Sequence, residues 1–207
     1  MNVGFSNLKT LKRELLLPAD AAKPDNDASV AALGLGVAAM FQVFCNRKFA
    51  RVVGDTFEAG ADRYSLVVPR YPIEAVSKVE VRYAISDGWV VQPGMPDNYL
   101  PEAGLLQFCV QLGVWPNTVR VTYTGGYWWD TGETTPDTMP EGAWALPEDL
   151  RAAWVMQCRW FWERRSITDR AKAGFTEAIA EKGFAGVEED LLLSARNVLN
   201  AYRRIAS

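Results

Sequence analysis

The side chains able to carry acid–base or covalent chemistry are few in this sequence. Its 207 residues include no histidine. That removes the commonest general base, proton shuttle and metal ligand together, and it excludes Ser-His-Asp and Cys-His catalysis. The three cysteines, Cys45, Cys109 and Cys158, form no close pair, so they make neither a disulfide framework nor a zinc set. They read as small buried apolar side chains, as suits a reducing compartment such as a cytoplasm. Gly34-Leu35-Gly36 has no third glycine at dinucleotide-fingerprint spacing, and Gly125-Gly126 is followed by Tyr-Trp-Trp with no Gly-Lys-Ser/Thr. Asp130, Glu133, Asp137 and Glu141 supply calcium-type oxygens, but their spacing is not that of a calcium loop. They read as a solvated acidic loop. No carboxylate pair stands out for glycoside hydrolysis. No catalytic, cofactor-binding or metal-ligating set is left.

The unusual feature is aromatic. The chain has 8 tryptophans. Trp154, Trp160 and Trp162 share one helical stretch and cannot share one face. Trp154 reads as core. Trp160 and the loop pair Trp128-Trp129 either pack within the chain or meet another chain, since aromatic residues concentrate at interface cores. A sugar-binding platform is the lesser reading.

The elements that must position these residues follow from periodicity. Residues 5–17 predict an amphipathic helix, capped by Ser6 and stopped by Pro18. Leu8, Leu11, Leu15 and Leu16 lie on one side, with Lys9, Lys12 and Arg13 on the other. Ala19–Asn26 reads as a linker. A longer helix over 27–48 buries Val30, Leu33, Val37, Phe41 and Phe44, and its alanines and glycines allow another helix to approach closely. Asn46-Arg47-Lys48 places positive charge at its C-terminal end.

From 52 to 127 the period becomes two. Strands are expected at 64–68, through Val76, Val79, Val81 and Tyr83 with Lys78, Glu80 and Arg82 facing outward, at Trp89–Val91, at 104–110 and at 118–124. A long irregular segment, 125–147, leads to a helix over 147–165 that carries Leu150, Trp154, Cys158 and Phe161 at helical spacing. Residues 166–186 read as a connector containing a short helix at Thr176–Lys182. A last helix starting near Val187 carries the seam Leu191, Ala195, Val198, Tyr202 and Ile205. That seam either folds back on the domain or swings out to bury Leu199, Tyr202 and Ile205 on a partner. In the second case Arg196, Arg203 and Arg204 would meet acidic groups or helix C-termini there.

Apolar residues make up 49% of the chain and charged residues 23%, which is ordinary globular usage and excludes a disordered chain. The net charge of −3 gives no global drive toward nucleic acid or an anionic membrane. The longest apolar stretch, Val30–Phe44, is about 15 residues against about 20 for a membrane span. The N-terminus lacks the apolar core and cleavage site of a signal peptide. The expected architecture is α+β: a helical core packed on a small antiparallel sheet over 1–165, then a linker and C-terminal helical arm over 166–207.

Four local motifs, in order, resemble tailed-bacteriophage head-tail connector proteins, also called adaptor or head-completion proteins. They are Phe44-Cys45-Asn46-Arg47-Lys48-Phe49, Pro69-Arg70-Tyr71-Pro72-Ile73-Glu74-Ala75-Val76, Val119-Arg120-Val121-Thr122-Tyr123-Thr124-Gly125-Gly126-Tyr127, and Leu146-Pro147-Glu148-Asp149-Leu150-Arg151-Ala152-Ala153. The resemblance covers about residues 27–165. The long 125–147 loop and the extended C-terminus depart from shorter members. The resemblance implies a non-enzymatic virion protein of the neck, made in the host bacterial cytoplasm and assembled as a ring, usually of twelve copies, beneath the portal protein. DNA passes through the lumen without sequence-specific binding. The C-terminal helix would engage the portal through Arg196, Leu199, Tyr202, Arg203, Arg204 and Ile205. Trp128, Trp129 and Trp160 would serve contacts with neighbouring subunits or with the next tail-completion, stopper or tail protein. Rival readings are another neck or tail component, such as a stopper or tail terminator, or a small carbohydrate-binding protein or hydrolase.

Overall fold

A computed structural model describes residues 3–17, 24–59, 64–84, 86–94, 96–109, 119–132, 135, 137–165 and 190–204. The fold is α+β, with antiparallel sheets and a helix near the C-terminus. The described chain divides into two compact units. One is drawn from Met1–Asn46, Trp129–Pro140 and Ala145–Arg204. The other is drawn from Arg47–Trp128 and Glu141–Trp144. Of the linker expected over 19–26, residues 19–23 lie outside the described residues, while residues 24–26 already belong to a helix. The connector expected over 166–186, with its helix at 176–182, lies outside the described residues.

The first unit is helical. Helix α1 (Leu8–Glu14) is capped by Asn7, whose Oδ1 accepts from the Thr10 N–H at 2.8 Å. The expected cap, Ser6, instead donates to the Asn7 carbonyl. Leu11 and Leu15 are buried, but Leu16 is 78% exposed. The helix has ended by Leu16, whose φ of 56° turns the side chain away from the buried side.

Helix α2 (Pro24–Cys45) buries Val30, Val37, Met40, Phe41 and Phe44, while Leu33 is half-buried. Its stretch Asp27–Cys45, 19 residues at mean hydropathy 1.9, is longer than the apolar run read from the sequence and long and apolar enough to cross a membrane. Packing against the other helices of this unit accounts for its buried side. Another helix was expected to approach its small residues. At Gly34 the backbone that approaches is instead the non-helical N-terminal segment, and an added Cβ there would lie 2.2 Å from the Val3 carbonyl oxygen. The Trp154 indole N–H donates to the Gly34 carbonyl at 3.0 Å.

Helix α3 (Glu148–Arg165) buries Leu150, Ala153, Trp154, Gln157 and Cys158. Phe5 lies 6.0 Å from Phe41 and 5.9 Å from Trp154, ring centre to ring centre. These rings form the aromatic heart of the unit. Helix α4 (Leu193–Asn200) carries the C-terminal seam; Asp190 is helical too, the helix is interrupted at Leu191-Leu192, and the expected start at 187–189 lies outside the described residues. Its Ala195 and Leu199 are buried, and it packs on α2 and α3.

The second unit is a β structure. Strands β1 (Val52–Ala59), β7 (Val119–Gly125), β3 (Ile73–Val81) and β4 (Val90–Val91) form one antiparallel sheet in that order. Strands β2 (Ser65–Val67), β6 (Leu105–Gln107) and β5 (Asn98–Leu100) form a second, and β8 (Tyr127–Trp128) with β9 (Trp144–Ala145) a two-stranded ribbon. Strand β7 alternates strictly: Val119, Val121, Tyr123 and Gly125 are buried, and the residues between them are half-buried. Strand β3 keeps step with it through two irregularities, at Ile73/Ala75 and Val76/Lys78. The second brings Val76 opposite Tyr123 and Val79 opposite Val121, so valines three apart serve one face.

Two readings of β3 need correction. Glu80 is buried rather than outward, lying between Lys78 at 3.1 Å and Arg120 at 3.8 Å. Tyr83 lies beyond the strand and is 74% exposed. Strands β1 and β5 were not expected, nor were β8 and β9, which pair within the segment 125–147 read as irregular. Strand β1 is an edge strand with no buried residue, so it carries no alternating apolar signal.

The cysteines separate. Cys45 and Cys158 are buried, and burial pushes the Cys158 thiol well above its ordinary value. Cys109 is exposed, contrary to expectation, and its thiol is raised chiefly by a hydrogen bond with Asp97. A thiol reagent at neutral pH is therefore expected to modify one cysteine per chain in the native protein and all three after denaturation. Asp97→Asn should speed the native reaction by enriching the thiolate. Native labelling of two or more thiols would contradict this burial pattern.

Candidate functional site

Three of the four sequence motifs converge within the β unit, around a buried cation. Arg47 is only 5% exposed. Its guanidinium carbon lies 3.4 Å from the centre of the Tyr71 ring, 4.9 Å from Phe49 and 5.4 Å from Tyr127. It also donates to the Tyr71 carbonyl. Burying a charge without compensation is costly; aromatic faces and a carbonyl dipole replace part of the lost water, while the buried Nε has no hydrogen-bond partner among the described residues. The residue expected to lie at a helix end as a dipole partner is thus a core residue of the β unit.

The backbone closes around this group. The Lys48 N–H donates to the Pro69 carbonyl at 2.8 Å, Tyr127 N–H to Phe49 at 2.7 Å, Arg51 N–H to Tyr127 at 2.9 Å, and Gly126 N–H to Pro72 at 2.8 Å. The Tyr71–Pro72 peptide is cis. Gly126 has φ +95°, and a Cβ there would lie 2.5 Å from the Ala50 carbonyl oxygen. Arg70 donates through Nε to Asp55 at 2.7 Å and also to the Ala50 carbonyl, while its backbone N–H meets the Tyr123 hydroxyl. Arg51 and Glu74 form a two-point ion pair at 2.7 and 2.8 Å, which holds the Arg51 guanidinium above its ordinary pKa.

The fourth motif lies in the helical unit. The Asp149 Oδ1 accepts from the Leu150 N–H at 2.8 Å and from the Tyr202 hydroxyl at 2.6 Å. The helix-start signal therefore also receives the C-terminal segment. Other groups fasten that segment as well. The Arg204 N–H donates to the Cys45 carbonyl at 2.8 Å, Cys45 Sγ lies 3.5 Å from the Leu199 carbonyl, and Arg203 sits 5.4 Å from the Phe44 ring centre.

Of the residues expected to meet a portal, the structure gathers Leu199, Tyr202, Arg203 and Arg204 against the end of α2 and the start of α3. Leu199 is fully buried within its own chain, Arg196 is half-buried, and Ile205 lies outside the described residues. The aromatic candidates are dispersed. Trp128 is half-buried in β8. Trp129 is half-buried with its ring 5.5 Å from Phe5. Trp160 is half-buried, stacked edge-on with Phe161 at 4.7 Å and covered by Arg164 at 4.0 Å.

The acidic loop is tied together locally. The Asp130 Oδ1 accepts from the N–H groups of Gly132 and Asp137, and Asp137 accepts from the backbone and hydroxyl of Thr131 at 3.1 and 2.7 Å. Glu133 lies outside the described residues, and Glu141 is exposed. Among the described residues, no three acidic or cysteine side chains gather as a metal site.

Sequence reasoning did not identify three groups. The first is the Arg47 box, whose signal is a lone arginine in an aromatic context. The second is buried Gln157, which donates to the Asp190 carbonyl and accepts from the Leu192 N–H at 2.9 Å. The third is Trp89, which lies 4.6 Å from Arg82 and 4.1 Å from Arg120.

No protein-family model matches the sequence, and no curated protein does. Solved structures do match the fold. A chain from the neck of an empty gene transfer agent particle, determined with C6 symmetry, aligns over 97% of this chain and 90% of its own, at 16% identity and a TM-score of 0.56. A chain from the virion of the native gene transfer agent particle aligns over the same shares at 16% identity and a TM-score of 0.52.

Three outcomes test this geometry. Gly126→Ala is expected to cost about 2 kcal/mol or more, from left-handed strain and overpacking. Leu199→Ala should cost about 2–5 kcal/mol as a cavity in a packed core. Denaturant unfolding measures both, and a Leu199→Ala variant as stable as wild type would show that α4 is not docked. Asp137 should titrate below the ordinary aspartate value, because Thr131 donates two hydrogen bonds to its ionised form. Its contribution to stability is complete above the unfolded aspartate value and is lost as pH falls through the lower folded value. Carbon-detected NMR titration reads this directly, and Thr131→Ala should move the value upward.

Proposed function

We propose that this chain is a structural protein of a phage-like virion neck and, more finely, the head-to-tail adaptor. In this reading it forms a ring, of about twelve copies by analogy with the connectors it resembles, that docks on the portal and presents a platform to the next tail-completion or tail protein. The observation that carries the reading is the correspondence of nearly the whole fold, 97% of this chain and 90% of the other, with a chain of a gene transfer agent neck. Support also comes from the motifs that suggested connectors. They are not scattered surface signals, because three of them build one buried structure around Arg47.

The reading assigns no reaction to the chain and locates it between capsid and tail. Its slightly acidic net charge of −3 suits a lumen that lets DNA pass without gripping it. Residues 1–165 act as the connector core and 166–207 as the portal-facing segment. Tyr202, Arg203, Arg204 and Arg196 are its described portal-facing residues. Leu199 reaches a partner only if α4 leaves the helical unit. Trp128 and Trp160, both half-buried, are the aromatic candidates for subunit or tail contacts, with Trp129 partly engaged by Phe5.

Mixing the purified chain with purified portal and imaging the product by electron microscopy tests the proposal. An adaptor gives a ring of this chain on the portal, and Arg203→Glu should weaken capture at least about tenfold. A chain that ignores portals but closes the end of isolated tails would make the terminator reading correct. A chain absent from the necks of purified particles would end the proposal.

A further inference from the structure

We draw no further inference here: the strongest candidate, the uncharged outward face of α2 formed by Ala28, Ala32, Leu35, Ala39 and Val43, carries none because nothing in the structure shows what covers it.

Discussion

The β unit depends on keeping one guanidinium out of water. A buried arginine is tolerated only if its surroundings replace the hydration it loses. Around Arg47 part of the replacement comes from three aromatic residues and the Tyr71 carbonyl. These groups lie far apart in sequence, at 49, 71 and 127, so the requirement binds three segments to one another. Such close packing leaves no room for a side chain at Gly126, where the backbone passes the Ala50 carbonyl. The spacing within each of these three motifs is local, but all three meet at the same buried cation.

The helical unit follows a related rule. Several of its helix ends and buried polar groups are met by distant segments as well as by their own neighbours. Arg159 donates to the Glu14 carbonyl at the end of α1. The Arg204 N–H reaches the Cys45 carbonyl at the end of α2, and Gln157 accepts from the Leu192 N–H ahead of α4. Helix ends leave unsatisfied groups that must find partners. Supplying those partners from elsewhere in the chain converts a local need into tertiary specificity, and α4 becomes part of the unit's packing through it.

This division explains what the sequence disclosed. The strands with one buried face, β3 and β7, were legible because their valines alternate, although β3 needed two irregularities to stay in step. Helices α2 and α3 were legible from apolar stripes. Strand β1 was not, because an exposed edge carries no apolar pattern. The α1 cap fell on Asn7 rather than Ser6 because either side chain can serve and one residue of register decides. The four motifs were visible as local signals, but the convergence of three of them and the partner of the fourth were not. Neither a cation–π contact between residues 47 and 71 nor a hydrogen bond between 149 and 202 leaves any periodic trace.

The docked α4 sets a condition on how the chain can bind. Fully burying a leucine is worth about 1.5–3 kcal/mol, and Leu191, Ala195 and Leu199 are all buried within the helical unit. Undocking the helix to offer Leu199 to a partner forfeits that burial, together with the Asp149–Tyr202 hydrogen bond and the cover on the Cys45 carbonyl. A partner must return all of it before any net affinity appears. Contacts made through Arg203, which is already exposed while α4 stays docked, carry no such debt. Energetically, a partner contact that leaves α4 in place and reads the outer surface of the C-terminal segment is therefore favoured over one that peels the segment away.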